Sequence, residues 1–283
     1  MRALEIVATG PLALVQDLGR PGYAHLGVPP SGALDTAALR LGNRLVGNAE
    51  DAAGIEILLG GLEIRATTSC TVAVTGPPVP VSVDGRETGS HAPLPLHADQ
   101  RLTIGRPATG LRCYLAVSGG IAVDPVLGSR SRDVLSELGP EPLTPGTRVP
   151  LGPVTGVPSG ADVVVAPPCP AELTVPVLLG PRDDWFADTA AALAAQWTVT
   201  AESNRVGVRL DGPPLRRSGT SELPSEGVLT GAIQVPPNGL PLVFLADHPT
   251  TGGYPVVAVV RSESLGALAQ ARPGTSVRFR TSF

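Results

Sequence analysis

The polar residues between positions 225 and 255 are the ones in this sequence whose types and spacing could do chemistry. The segment reads SEGVLTGAIQVPPNGLPLVFLADHPTTGGYP. Its candidate site residues lie between glycines and prolines, and they are Glu226, Gln234, Asp247, His248, Thr250, Gly252, Gly253 and Tyr254. One apolar run, residues 240–246, is long enough for a buried strand. Polar groups on glycine-rich loops beside a buried strand predict a binding site on a rigid β scaffold, and a pair of ordinary β-turns is the alternative.

Asp247 and His248 place a carboxylate base and a titratable imidazole side by side. The backbone N–H groups of the loop that follows could bind an oxyanion. We assign acid–base catalysis to Asp247 or His248. Thr250 and Gln234 are predicted to orient a substrate, and the Gly252–Gly253 backbone would let it approach closely. No Ser-x-x-Lys or Gly-x-Ser-x-Gly pattern identifies a nucleophile.

Two arginines are candidates for binding an anion. Arg20 lies in the loop QDLGRPG, where a forked guanidinium can hold a carboxylate or phosphate through two hydrogen bonds. An internal pair with Asp17 that braces the loop is the alternative. Arg205 follows Asn204 and lies at an even offset from Arg209, so the two arginines are predicted to share a strand face as an anion shelf. Solvent-facing arginines are the alternative, and we favour it for Arg209.

The four histidines lack the spacing of metal ligands, so no metal site is predicted. His25 lies in a Gly/Pro-rich loop and is a further candidate for substrate or anion binding. His91 and His97 flank Pro-rich hairpin sequence and are predicted to be surface residues.

The composition indicates a folded, β-rich chain. Hydrophobic residues make up 42% of the 283 residues and charged residues only 16%, which excludes a disordered protein. The 34 glycines and 31 prolines predict many short strands joined by tight turns. A net charge of −4 gives no basic surface for nucleic acid. All 21 basic residues are arginine, so this chain itself can form no pyridoxal Schiff base, Walker-type phosphate loop or biotinyl-lysine.

The cysteines and the apolar segments bear on where the protein is found. Cys70, Cys113 and Cys169 are odd in number and far apart, which predicts neither a disulfide framework nor a zinc site. Residues 1–19 lack the features of a signal peptide, and no run of about 18 apolar residues could span a membrane. We therefore expect a cytoplasmic protein.

The elements that position the candidate residues are predicted to be mostly strands. Strand patterns fill residues 55–121, and Asp84-Gly85 is predicted to form a hairpin turn with positive φ. One helix is expected from Ser31, as its N-cap, to about Val46. A second helix is expected over residues 183–196, with acidic residues in its first turn.

The chain is predicted to fold as two β lobes. Residues 139–173 are the richest in proline and glycine and place the boundary near their end. The N-terminal lobe is expected to comprise residues 1–170 and the C-terminal lobe residues 171–283, with a cleft between them.

These motifs resemble the family variously called the 5-oxoprolinase C subunit, allophanate hydrolase subunit 2, or biotin-dependent carboxyltransferase domain, subdomains A and B. The matching stretches span nearly the whole chain in the expected order. They are VQDLGRPGYAHLGVPPSGALD (15–35), LGNRLVGNAEDAAGIEI (41–57), YLAVSGGI (114–121), LGSRSRD (127–133), SNRVGVRLDGP (203–213), the segment 225–255 given above, and LAQARPG (268–274).

The resemblance implies a mainly β fold with a few short helices, arranged as two cyclophilin-like β-barrel lobes. It also implies a carboxyltransferase-like sister subunit, of the type found as the 5-oxoprolinase B subunit or as allophanate hydrolase subunit 1. In the 5-oxoprolinase system a third component, the A subunit, joins them. In that system ATP, with its site on a partner subunit or shared with one, drives the opening of 5-oxoproline to glutamate. This is the leading hypothesis for the function, and the lone chain is expected to be inactive.

Two other functions stay open. The chain could be a carboxyltransferase subunit that moves a carboxyl group from carboxybiotin to urea or another amide, with biotin supplied on a separate carrier. Alternatively, it could be a regulatory protein that binds a kinase-inhibitor sister subunit.

Overall fold

The chain separates into two compact units. The computed structural model describes residues 2–160, 164–219 and 222–281. Unit 1 comprises Met1–Arg20, Asp35–Asp133 and Glu137–Cys169, and unit 2 comprises Pro21–Leu34, Val134–Ser136 and Pro170–Phe283. The loop after Arg20 and the short turn after Asp133 therefore fold with the second part of the chain.

Unit 1 is built from two antiparallel sheets and one α-helix. Its strands are β1 (Ala3–Thr9), β2 (Leu12–Gln16), β3 (Gly54–Leu58), β4 (Leu62–Ala66), β5 (Cys70–Thr75), β6 (Val81–Val83), β7 (Arg86–Thr88), β8 (Leu94–Leu96), β9 (Arg101–Ile104), β10 (Arg112–Val117) and β11 (Arg148–Pro150). The order in the first sheet is β11-β1-β4-β9-β6-β7, and in the second it is β2-β3-β10-β5-β8.

The two sheets of unit 1 share one apolar core. Alternate residues of β1 and β4, such as Ile6 and Ile64, are buried from the first sheet, and Ile55 and Ile57 of β3 are buried from the second. All four are within 1% of complete burial. Because successive side chains of a strand point to opposite faces, this pattern pairs the inner faces of two sheets as in a sandwich.

The helix α1 (Thr36–Leu45) packs against β5 and β10. Its N-cap is Asp35, whose Oδ1 accepts a hydrogen bond from the Ala38 N–H at 3.1 Å. The predicted start at Ser31 is wrong. Ser31 has a φ of 55° and donates its N–H to the Ala246 carbonyl, so it belongs to the loop of unit 2.

Two local predictions for unit 1 have different outcomes. The Asp84-Gly85 turn is confirmed, with φ values of 48° and 78° between β6 and β7. The prediction that His91 lies at the surface is wrong, since His91 is 1% exposed and its Nε2 donates to the Gly76 carbonyl at 2.9 Å. Burial lowers the pKa of this histidine because a charged imidazole would be desolvated. His97 is exposed, as predicted.

Unit 2 contains a closed barrel. Its strands are β12 (Glu172–Leu179), β13 (Trp197–Val199), β14 (Gly207–Asp211), β15 (Glu226–Gly227), β16 (Ala232–Gln234), β17 (Leu242–Phe244), β18 (Thr251–Gly252), β19 (Val256–Val260) and β20 (Ser276–Thr281), and its α-helices are α2 (Thr189–Leu193) and α3 (Leu265–Ala269). The barrel runs β12-β19-β16-β17-β14-β13-β20 and closes where β20 pairs parallel with β12. The strands β15 and β18 form a separate two-stranded ribbon.

The predicted helix over residues 183–196 is much shorter in the structure. A 3₁₀ turn, Asp183–Trp185, is followed by α2. Between them Asp188 takes a φ of 46°, and its side chain accepts a hydrogen bond from the Ala191 N–H at 3.3 Å as the N-cap of α2. A left-handed residue cannot continue a right-handed helix, so the chain begins a new one after Asp188.

The mainly β class with a few short helices is confirmed, with a barrel in unit 2 and two sheets in unit 1. None of the helices within the described residues is both long and apolar enough to cross a bilayer.

Candidate functional site

A buried ion pair in unit 2 joins two of the predicted site residues. Asp247 lies three residues after β17, and Arg205 lies two residues before β14. The guanidinium donates from Nε to Oδ2 of Asp247 at 2.8 Å and from Nη2 to Oδ1 at 3.0 Å. Arg205 is 3% exposed and Asp247 is fully buried. The pair is therefore bidentate, and such pairs are among the stronger charge-assisted contacts in proteins.

The same pair also binds two loops that are remote in sequence. Arg205 Nη2 donates to the Gly32 carbonyl at 2.7 Å, and the Val134 N–H donates to Asp247 Oδ2 at 3.0 Å. The residues predicted as an anion ligand and a general base thus bind each other and brace unit 2. Arg209 is exposed, so Arg205 and Arg209 form no common anion shelf.

His248 has a defined orientation. Its Nδ1 lies 2.6 Å from the Pro249 carbonyl oxygen, which can only accept, so Nδ1 carries the proton. Its Nε2 lies 3.1 Å from the Thr230 hydroxyl oxygen, and the ring centroid is 5.6 Å from that of Phe244. His248 is 3% exposed. In the neutral imidazole, the lone pair on Nε2 therefore faces the Thr230 hydroxyl.

The end of the glycine-rich segment is organised around Gln234. Gln234 is 3% exposed, and its Nε2 donates to the Tyr254 carbonyl at 2.8 Å. Gly252 pairs with Glu226 in the β15–β18 ribbon. A Cβ atom placed on Gly252 would lie 2.6 Å from Gln234 Nε2, so the Gln234 side chain packs close against this glycine.

We expect Gly252→Ala to destabilise the protein by about 1–2 kcal/mol. The added methyl group would displace the Gln234 amide and break its bond to the Tyr254 carbonyl, which leaves buried polar groups unsatisfied. Urea denaturation, monitored by Trp fluorescence, measures the change in stability.

Gly227→Ala is the matched control for that substitution. Gly227 lies on the other strand of the same ribbon, and a Cβ placed there meets nothing within 4 Å. It should be neutral or slightly stabilising. Equal losses of stability in both variants would show that the effect comes from replacing a glycine of the ribbon and not from displacing Gln234.

The remaining predicted residues of unit 2 lie nearer the surface. Glu226 pairs with Arg182, and the Thr250 carbonyl accepts from the Val228 N–H at 3.0 Å. Gly253 is exposed, and Tyr254 is 46% exposed.

Asn204 and His25 are also exposed in unit 2. The Asn204 Oδ1 accepts from the N–H groups of Val206 at 2.8 Å and Gly207 at 3.3 Å, so its oxygen forms the turn before β14. The Nδ1 of His25 lies 3.1 Å from the Gly22 carbonyl oxygen.

Arg20 lies in unit 1 and is 2% exposed. Its Nε donates to the Val126 carbonyl at 3.2 Å, and its Nη2 donates to the Ser131 carbonyl. Asp17, the alternative predicted partner of Arg20, binds the same loop. Its Oδ1 accepts from both the Ser129 and the Ser131 hydroxyls at 2.6 Å, and its Oδ2 accepts from the Arg130 N–H at 2.6 Å. The motif around Arg20 thus fastens residues 126–131.

Several residues of these clusters were not predicted. Ser129 and Ser131 lie in the quoted motif LGSRSRD, where two serines spaced to bind one carboxylate were an available signal. Thr230, which faces His248, gives no such signal because it is one hydroxyl among many in its segment. Among residues 2–160, 164–219 and 222–281, no group of three or more His, Cys, Asp or Glu is placed to hold a metal ion.

Comparison with known proteins identifies the family. The sequence model described as "Carboxyltransferase domain, subdomain A and B" matches residues 26–281. The C subunit of the 5-oxoprolinase of Escherichia coli (strain K12) is 39% identical over 284 residues, covering 98% of this chain and 90% of that protein.

Two solved structures have the same fold. The crystal structure of TTHA0988 matches with a TM-score of 0.90 at 36% identity over 99% of this chain and 56% of its own. The K. lactis urea amidolyase matches with a TM-score of 0.91 at 29% identity over 98% of this chain and 18% of its own. This chain therefore spans only part of those two proteins. On the family match and the end-to-end identity, the chain belongs to the carboxyltransferase domain family, subdomains A and B.

Proposed function

We propose that this chain is one subunit of an ATP-dependent 5-oxoprolinase, which opens 5-oxoproline to glutamate together with a sister subunit. The observation that carries the proposal is the near end-to-end match with the 5-oxoprolinase C subunit. Against the urea amidolyase, by contrast, the chain corresponds to a small part of a much larger protein. The 39% identity over 90% of that C subunit favours the oxoprolinase assignment.

The chemistry requires an activated carbonyl and a positioned acid–base group. A lactam carbonyl resists water, and transfer of a phosphoryl group from ATP to its oxygen makes it a better electrophile. Within this chain we assign the acid–base role to His248, since the Asp247 carboxylate already accepts hydrogen bonds from Arg205 and the Val134 N–H. Thr250 and Tyr254, on the loop after His248, would orient the substrate.

The nucleotide is better placed on a partner. Arg20 and Arg205, predicted to hold anions, are both buried and donate to oxygen atoms of this chain. They therefore do not fit the predicted role of a phosphate clamp. We propose that a sister subunit of the B type, or a third subunit of the A type, contributes the ATP site, and that the complex works in the cytoplasm, where ATP is abundant.

The test is co-expression of this chain with its two sister subunits. Glutamate should appear in proportion to ATP consumed, only with 5-oxoproline present, and only when this chain is included. Omission of each subunit in turn is the control, and we expect the lone chain to give no turnover. A folded, fully assembled complex that hydrolyses no 5-oxoproline would refute the proposal.

Carboxyl transfer is the second candidate, and the structural match with the urea amidolyase favours it. Because this chain has no lysine, biotin would have to arrive on a separate carrier. Loss of carboxybiotin that depends on urea, in a complex that does not hydrolyse 5-oxoproline, would establish it.

A further inference from the structure

Thr230 and His248 form a pair that resembles an activated nucleophile. The Thr230 hydroxyl oxygen is 3.1 Å from His248 Nε2, within hydrogen-bond distance. The opposite ring nitrogen, Nδ1, is held by the Pro249 carbonyl at 2.6 Å. A hydroxyl, a base and a group that orients the base are the three parts that nucleophilic catalysis requires.

The tautomer of His248 determines which group donates in the hydrogen bond between His248 and Thr230. Since Nδ1 must donate to the carbonyl oxygen, neutral His248 accepts at Nε2, and the Thr230 O–H is the donor there. The proton that the hydroxyl would lose on attack is thus already aimed at the base. The Phe244 ring beside His248 limits rotation of the imidazole.

Burial and backbone position the two side chains differently. His248 is 3% exposed, whereas Thr230 is half-buried. The turn that carries Thr230 is fixed at the start of β16, because Gly231 donates its N–H to the Phe244 carbonyl at 2.8 Å and Ala232 donates to the Leu229 carbonyl at 3.0 Å. The backbone that carries the Thr230 hydroxyl is therefore fixed to the strands of the barrel.

We propose that Thr230 is a catalytic nucleophile that accepts an acyl group from an acyl phosphate, with His248 as its base. The Thr230 oxygen bonds to the acyl carbon, its proton passes to His248 Nε2 and from there to the phosphate, which leaves with the electron pair of the broken C–O bond. Water then attacks the ester and gives a proton to the neutral His248. His248 returns that proton to the Thr230 oxygen as the ester C–O bond breaks, which releases the carboxylic acid and free Thr230. The choice of an acyl phosphate as the acyl donor rests on the proposed lactam opening. The geometry of the Thr230–His248 pair is independent of that proposal.

The experiment exposes the co-expressed complex to acetyl phosphate and examines this chain by peptide mass spectrometry. An acetyl group is expected on the peptide that contains Thr230 in the natural protein and in Thr230→Ser. Thr230→Val keeps the shape but has no hydroxyl, so it should give no adduct. His248→Gln should acylate at least about 100-fold more slowly, the usual contribution of a general base.

Thr198→Val is the matched control, because Thr198 is exposed on β13 of the same barrel. It should acylate like the natural protein, and unchanged melting temperatures would show that the variants fold. If the pair is merely structural, Thr230→Val and Thr230→Ser will have the same 5-oxoprolinase activity as the natural protein. That result, or the absence of any adduct on the natural protein, would overturn the proposal.

The outcomes separate the two proposals. Acylation of Thr230 in a complex that does not hydrolyse 5-oxoproline would retain the nucleophile and reject the oxoprolinase. Hydrolysis of 5-oxoproline that survives Thr230→Val would retain the oxoprolinase and reject the nucleophile.

Discussion

Replacing Arg205 with alanine is expected to lower the free energy of unfolding by about 3–5 kcal/mol. The substitution leaves the fully buried carboxylate of Asp247 without its bidentate partner and the Gly32 carbonyl without its donor. An uncompensated buried charge is far more costly than the loss of a surface contact. Urea denaturation at neutral pH measures the change, and the slope of the unfolding free energy against urea concentration should be the same in the variant and the natural protein.

Arg209→Ala is the control, since Arg209 lies four residues along the same segment and is exposed. It should change stability by no more than about 0.5 kcal/mol. The double variant Arg205→Met with Asp247→Leu should lose less than the sum of its single changes, by about 2–3 kcal/mol, because both charges are gone. Equal losses from Arg205→Ala and Arg209→Ala would contradict the bracing role.

Asp17→Asn is expected to cost about 2–4 kcal/mol, as hydrogen bonds to a charged acceptor are stronger than neutral ones. The carboxylate accepts from the Gly19 N–H, two serine hydroxyls and the Arg130 N–H. An amide has only one oxygen, so in either orientation its NH₂ group faces a donor. The loss should be visible as a lower urea midpoint.

Asp51→Asn provides the comparison, because Asp51 is an exposed residue of the same unit. It should be nearly neutral. Proteolysis of the loop at residues 126–131 is a second measurement, and it should be faster only in Asp17→Asn. A stable, protease-resistant Asp17→Asn protein would show that the serine hydroxyls suffice without the charge.

Local features of the fold were predictable because their causes are local. Asp84-Gly85 forms the expected turn since both residues tolerate positive φ. The helix boundaries were harder. Ser31 and Asp35 are both good N-caps, and the earlier start is excluded by the positive φ of Ser31 and by its bond to the distant Ala246. Similarly, nothing in the residues around Asp188 marks it in advance as left-handed.

The candidate site was predictable in place but less so in its contacts. The sequence indicated that polar residues of the 225–255 segment gather, and Gln234 does lie against both Gly252 and Tyr254. The partner of Asp247 lies 42 residues away, and no spacing rule in the sequence shows that β14 and β17, beside which the two residues lie, are neighbouring strands. Arg205 therefore looked available for a ligand, although it binds the carboxylate that was predicted to act beside it.

The parallel pairing of β12 with β20 has a consequence for synthesis of the protein. The two strands are roughly a hundred residues apart in sequence, so β12 leaves the ribosome long before its neighbour exists. Until residue 281 has been made, the nascent barrel has an open seam with two unpaired edges, which are prone to pair with other chains. Premature termination within the last turn or strand of the barrel would therefore cause aggregation, even though every residue of the candidate site would already be present.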